Sequence, residues 1–301
     1  MSGYKENYAR GVALVVAAGL VWSTGGMLVR LIDEAASGTI AFWRAASMGA
    51  AVLLVVMLRH RGRVVAPFRA VGWLGPVGGF LIAGASTCFV FALGLTTVSN
   101  VLFLQSASPF IAAVLGWALL KERIGGGTWL AICLATAGVT IMVFDGLQQA
   151  GLLGNVLGVL TGVFFALYTV ALRSGRQIDM LPVLCYMSLW AMGAALIMAP
   201  TLAISTHDLL ICVQLGAGQL ALGSALYVMG SRHVPASQII LLTLLEVVLG
   251  PVWAWIAVGE VPTALSLAGG AVVICAVLIQ AALARRAGET VGVAAVATTP
   301  D

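Results

Sequence analysis

Charge is the scarcest component of this chain. Of 301 residues only 9% are charged, against 61% hydrophobic. A soluble domain is about 25% charged and about 45–50% apolar, so no soluble fold of this length could cover so much apolar surface. Histidine is nearly absent: the three present, His60, His207 and His233, all fall between apolar stretches. That excludes the usual intramembrane metal site and histidine proton relay. The five cysteines (Cys88, Cys133, Cys185, Cys212, Cys275) have no CxxC spacing and lie within apolar stretches, so they read as small packing residues. No HExxH, GxSxG or GxxxxGK[ST] motif occurs. The chain therefore reads as no enzyme, with no cofactor, no metal and no direct coupling to ATP. The net charge of +4 does not point to nucleic acid, because the charges lie in gaps between apolar stretches and gather on no single face.

What is present is ten apolar stretches, each near the roughly 20 residues that cross a hydrocarbon core. They lie at about 10–32, 37–58, 71–95, 99–120, 127–145, 152–173, 181–203, 209–230, 236–258 and 262–284. The second five repeat the first. Gly11, Gly19 and Arg30 recur 143 positions later as Gly154, Gly162 and Arg173; Leu104, Trp117 and Glu122 recur 138 positions later as Leu242, Trp255 and Glu260. A duplicated unit with an odd number of spans must place its copies in opposite orientation, which is the inverted-repeat layout of secondary transporters. The expected fold is thus an all-α membrane protein of ten transmembrane helices in two inverted five-helix halves, 1–150 and 151–287. Residues 288–301 read as a disordered cytoplasmic tail.

All but two of the 15 Lys and Arg fall on the side that holds the N-terminus; Arg30 lies on the other side and Arg44 within a span. The bias predicts a multi-pass protein of the inner (plasma) membrane with both termini cytoplasmic. The lipid bilayer and a small-molecule substrate are the expected partners, and a monomer is compatible with this layout.

Two charges fall inside the hydrocarbon, Arg44 and Glu246. A charge there costs about 2.5–3.5 kcal/mol on insertion scales and faces a cavity or a partner. Two readings stand for them: a substrate or proton-linked site, or a buried ion pair that fixes packing. A buried Glu can also shed its charge by staying protonated. Trp73, Trp117, Trp129, Trp253 and Trp255 lie toward span ends and suit an interfacial belt. Trp22 and Trp190 lie near mid-span. Trp22 precedes Ser23 and Thr24, and its repeat partner is Phe165, with Tyr168 one turn further on. Polar residues recur in pairs as well: Asn100 with Gln238, Gln105 with Thr243, Ser108 with Glu246. Glu122 and Glu260 fall in short loops and read as solvated charges. Gly154, Gly158 and Gly162 form a row that lets helix backbones approach closely.

On these residues the chain resembles the EamA-type branch of the drug/metabolite transporter superfamily. The segments that carry the likeness are LVWSTGGMLVR (20–30), AFWRAASMGAAVLL (41–54), LFLQSASPFIAAVLGWALLKER (102–123) and LLTLLEVVLGPVWAWIAVGE (241–260). The WST-containing first span is similar to that of YddG-type amino-acid exporters. In one respect the chain departs from the branch: many members carry Glu-Pro in the ninth span, whereas here Val247 follows Glu246 and the proline is Pro251. The resemblance implies ten spans and export of small metabolites, often amino acids. It also implies a central cavity that, carried over by position, would be lined by Trp22, Thr87, Phe91, Phe103, Gln105, Phe165, Tyr227, Thr243 and Glu246. The expectation is a secondary exporter of small metabolites, with amino acids foremost, working by alternating access. The alternatives are a hydrophobic-drug exporter and, from another class, a non-transporting membrane scaffold or lipid scramblase-like protein.

Overall fold

An apolar chain surrounded by hydrocarbon must satisfy its backbone polar groups within itself, and helices do this locally. The computed structural model describes residues 2–62, 65–108, 110–111, 114–115, 118, 126–149, 151–174, 181–231, 236–276, 278–279 and 282. Among the described residues every regular element is helical and no strand occurs. The elements are α1 (Ser2–Ser23), α2 (Gly25–Arg30), α3 (Ser37–Arg59), α4 (Val65–Val71), α5 (Leu74–Leu93), α6 (Val98–Gln105), α7 (Gly126–Gln149), α8 (Gly151–Ser174), α9 (Leu181–Met198) and α10 (Thr206–Val213). There follow a π-helical stretch at Gln214–Ala221, then α11 (Leu222–Ser231) and α12 (Ala236–Val258), and an apolar helix α13 (Ala264–Ala276).

Six segments are long and apolar enough to cross a membrane: Ala9–Arg30, Ser37–Arg59, Leu74–Leu93, Leu152–Ala171, Leu181–Met198 and Thr206–Tyr227. They coincide with the first, second, third, sixth, seventh and eighth expected stretches. Shorter apolar helices, Trp129–Ile141, Leu245–Val258 and Ala264–Ala276, fall within the fifth, ninth and tenth. The fourth begins as α6, turns at Ser106 and Ala107, and is described only in part beyond them; Trp117 and Glu122 lie outside the described residues. The gap after the second stretch holds α4, where Pro67 sits in the first turn and its missing N–H leaves no helical bond unmade.

The bundle packs α5 along α8, α9 against α3 and α5, and α1 against α11 and α12. Its interior is layered. One cluster joins Val29, Ile40, Phe89, Leu93, Leu102 and Leu215; a second joins Met48, Val52, Val56, Ala83 and Met187. Large side chains such as Leu58, Leu153, Ile197, Leu210 and Ile256 face outward. In water that surface would be a sticky patch; in lipid it matches the solvent. Trp190 belongs to this exterior. It is 47% exposed, meets Phe80 edge-on, and donates from Nε1 to the Pro76 carbonyl at 3.0 Å.

Small residues set the closest approaches. The glycine row on α8 lies against Leu95, then Leu104, then the backbone of Gln105. All five cysteines are free thiols.

Candidate functional site

Helical continuity fails at three places among the described residues, and two of them face each other. The first span breaks at Thr24, between α1 and α2. There Ser23 Oγ donates to the Leu20 carbonyl and Thr24 Oγ1 to the Val21 carbonyl, both at 2.7 Å. Such local bonds compete with the helical ladder. Opposite the break runs the π-helical stretch Gln214–Ala221. One-turn π segments interrupt α-helices most often at functional sites. Gln219, 4% exposed, reaches across from it and donates from Nε2 to the Trp22 carbonyl at 3.0 Å. Trp253 on α12 closes the third side, its Nε1 donating to Ser23 Oγ at 3.0 Å. The third interruption follows α6, where Ser106 Oγ donates to the Phe103 carbonyl at 2.6 Å.

At this break stands an aromatic pair. Trp22 and Tyr227 have ring centroids 5.2 Å apart, tilted by 37°. Gly223, one turn before Tyr227, makes room: a Cβ there would collide with Trp22 Nε1. That Nε1 is buried and has no hydrogen-bond partner, and neither has Gln219 Oε1. A second aromatic pair, Phe165 and Tyr168 at 6.4 Å, stands on α8. Thr87 and Gln105 are half-buried. Phe91 packs at the margin of the first core cluster. Phe103 is 5% exposed and sits in an apolar cluster with Leu104, Val247 and Val273, its ring over Gly270; there it fills space between α6 and α13. The Thr243 side chain lies outside the described residues. Gln219 escapes a reading by motif, although the two amides Gln214 and Gln219 in one apolar run are a visible signal.

Two arginines of the spans, Arg30 and Arg44, are held in different ways. At one end of the bundle Arg30 Nε donates to Glu260 Oε2 at 2.6 Å. Its Nη1 and Nη2 donate to the carbonyls of Leu93 and Thr96 at 2.6 and 2.5 Å. The other Glu260 oxygen accepts from the Val98 N–H, the first of α6, while Thr97 Oγ1 accepts from Asn100 N at 3.2 Å. Orphan N–H groups at a helix start need such acceptors. Glu260 is thus corrected from a solvated loop charge to a capped and paired one, 15% exposed beside Arg30 at 25%. The turn at Gly259, with φ of 70°, delivers it there; glycine takes this left-handed conformation without a Cβ penalty. Close by, Asn100 is 2% exposed and donates to Asn155 Oδ1 and Thr96 Oγ1.

The second arginine lies deeper. Arg44 is 4% exposed, and its Nε and Nη1 are buried without a hydrogen-bond partner. Its guanidinium lies 5.7 Å from the centre of the Phe89 ring. Neither Nε nor Nη1 bonds Glu246. The physical reason is the anchoring of α3. Its backbone at Arg44 packs directly on Gly216 of the π segment, and Ser47 Oγ donates to the Cys212 carbonyl at 3.1 Å. These contacts turn the Arg44 side chain toward Phe89.

A cluster of Asp33, His207 and Asp208 has ligating atoms within 4.8 Å of one another. Asp208 is fully buried, and its carboxylate is occupied by the N–H groups of Asp33, Glu34 and Ala35 at 3.1, 3.2 and 3.0 Å. It reads as the cap of that loop.

Comparison with known proteins places these features in a group. A model described as the EamA-like transporter family matches residues 9–144 and again 152–281. An uncharacterized protein of Pseudomonas aeruginosa is 29% identical over 167 residues, which are 55% of this chain and 57% of that one; the chain spans little more than half of that relative. The uncharacterized transporter YwfM of Bacillus subtilis is 27% identical over 289 residues, covering 90% of this chain and 94% of its own. The pseudopaline exporter CntI of Pseudomonas aeruginosa is 24% identical over 271 residues, 88% of this chain and 94% of its own. One solved crystal structure aligns with a TM-score of 0.67 over 92% of this chain and 99% of that one; at 17% identity this is a likeness of fold alone.

Proposed function

The chain belongs to the EamA-like transporter family, and from that premise we propose that it is a secondary exporter of small metabolites, with amino acids as the substrate class. The single observation that carries this reading is the polar, aromatic break in the middle of the bundle. There Trp22, Tyr227 and Gln219 meet at an interrupted helix and a π segment, and buried polar atoms there lack partners. In transporters, discontinuous helices near the midplane are where substrates bind. A scaffold would have no use for unpartnered buried polar groups, which cost free energy without stabilising the fold.

In the proposed cycle ten spans form two inverted halves, 1–150 and 151–287, which rock about the break so that it opens to one side at a time. The two successive matches of the family model support this division, as do the sequence repeats at offsets of 143 and 138. Both termini and the 59–69 segment are proposed to face the cytoplasm of a cell whose inner membrane holds the protein. A single cysteine placed in that segment, in a cysteine-free background, should resist an impermeant thiol reagent in intact cells; labelling from outside reverses the orientation. The exporter of pseudopaline among the relatives supports the outward direction.

The test is counterflow of labelled amino acids in proteoliposomes. Accumulation above protein-free vesicles is expected for at least one amino acid. The Trp22–Tyr227 stack also favours a second reading, export of hydrophobic drugs. Counterflow of lipophilic cations with none of any amino acid would establish that reading instead.

A further inference from the structure

We infer that Arg44 and Glu246 are the two halves of a zwitterion receptor: Arg44 binds the substrate's carboxylate and Glu246 its ammonium group. The inference rests on the transporter reading above and narrows its substrate class to molecules that carry both charges.

The first observation is the vacant hydrogen-bonding capacity of Arg44. A guanidinium carries five N–H donors and no acceptor. Buried charges in proteins are paired or hydrogen-bonded because isolation in an apolar medium is costly. Here the side chain is 4% exposed and both Nε and Nη1 lack partners. The Phe89 face offers a cation–π contact at 5.7 Å, which supplies attraction but accepts no hydrogen bond. The same chain shows how an arginine is satisfied when its role is structural: Arg30 uses Nε, Nη1 and Nη2 on one carboxylate and two carbonyls.

The second observation is an opposite charge without a bond of its own. Glu246 lies on α12, the helix that Trp253 ties to the break at Ser23. Among the described residues it makes no ion pair and no hydrogen bond. Opposite charges at low dielectric attract strongly, so two that stay apart are held apart. The holding elements are visible. On one side α3 rests on the π segment through Gly216 and Ser47. On the other, α12 is pinned by Gly250 against Leu102 and by Trp253 on Ser23. Neither helix can shift toward the other without breaking these contacts.

A site that offers a cation and an anion selects its occupant by charge. A simple anion would satisfy Arg44 but be repelled by Glu246, and a simple cation the reverse. A zwitterion satisfies both, and its two ends neutralise the site as they enter. Arg44 is buried, so the substrate reaches it when one side of the bundle opens.

The test starts with the unaltered protein. Each of the twenty standard amino acids is used as a probe of thermal stability in detergent. The amino acid with the largest shift is then compared with its decarboxylated amine and its deaminated acid; for phenylalanine these are 2-phenylethylamine and 3-phenylpropanoate. The zwitterion is expected to bind on the order of a hundredfold more tightly than either, the scale on which loss of one charged partner weakens binding. Counterflow is then measured for Arg44→Gln and Glu246→Gln. Both should lose exchange of the amino acid, with Arg44→Lys keeping part of it. Equal binding of the amine or the acid overturns the receptor, as does wild-type exchange in folded Arg44→Gln or Glu246→Gln. Should neither variant fold, the comparison of the three compounds on the wild type decides alone. Absence of both a stability shift and counterflow for every amino acid is a different failure: it removes the amino-acid reading on which the receptor rests.

Discussion

Two arginine–glutamate pairs lie in one bundle, and they behave as opposites. Arg30 and Glu260, at one end, are closed on each other and on three backbone groups. Arg44 and Glu246, deeper in, share no such bond, and two Arg44 nitrogens have no partner. The end pair ties α2, the end of α5, the start of α6 and the turn after α12 into one node. Every lone pair and donor used there stabilises the fold. The inner pair stabilises nothing visible, yet the surrounding backbone is arranged to keep it open. A satisfied charge marks architecture, and an unsatisfied one marks a place kept for something else. Natural proteins often hold stability below its optimum at such places, where function needs it.

Breaking the end node should have the largest effect on stability. Glu260→Ala removes the ion pair and the acceptor of the Val98 N–H together. The loss should be about 2–3 kcal/mol, below the full figure for a buried pair because both side chains keep some exposure. Glu260→Gln keeps the acceptor and should fall between. Thermal unfolding in detergent checks both. An unchanged midpoint for Glu260→Ala would make the node incidental.

The next effect tests whether the inner pair is held open by backbone packing. A Cβ at Gly216 would run into Ser47 Oγ and the Arg44 carbonyl. Gly216→Ala should cost about 1–3 kcal/mol, the range for overpacking. If part of the strain is relieved by moving α3, exchange of amino acids should fall further than stability does. Parallel losses of exchange and folded protein would mean that α3 does not set the gap.

Some of this was legible from composition and pattern, and some was not. Hydropathy located the six long spans because a membrane helix needs little more than length and apolarity. The break at Thr24 was not foreseen from hydropathy, although Ser23 and Thr24 compete for backbone bonds there. Hydropathy does not give the rotation of a helix about its axis, so it could not decide whether Phe103 faced the centre or α13. It also treats a loop charge as solvated; only the fold brings Glu260 to Arg30, residues 230 positions apart. The π segment has no hydropathy signature, and Gln219 became visible as a functional candidate only once that segment turned it toward Trp22. Arg44 and Glu246 stood out at once, because charge in an apolar run is conspicuous. Their separation was not readable, since it depends on contacts of α3 and α12 with other helices.

A smaller effect sharpens the comparison at the aromatic stack. Trp22→Phe keeps a ring against Tyr227 and removes the unpartnered Nε1–H together with the volume of the second ring. Stability should fall by only about 1 kcal/mol, the cost of the lost volume, because no protein hydrogen bond is lost. A several-fold weaker apparent affinity in counterflow would show that the N–H serves the substrate, whereas a stability loss as large as that of Glu260→Ala would show a structural bond at Trp22 instead.

The most direct test of the contrast is one unfolding experiment with Arg44→Met beside Glu260→Ala and the wild type. Methionine fills a similar volume without a charge, and replacing a buried charge by an apolar side chain is often neutral or stabilising. The account expects Arg44→Met to unfold at or above the wild-type midpoint while Glu260→Ala unfolds well below it. A fall for Arg44→Met as large as that for Glu260→Ala would contradict the account, because Arg44 would then be holding the fold rather than waiting for a ligand.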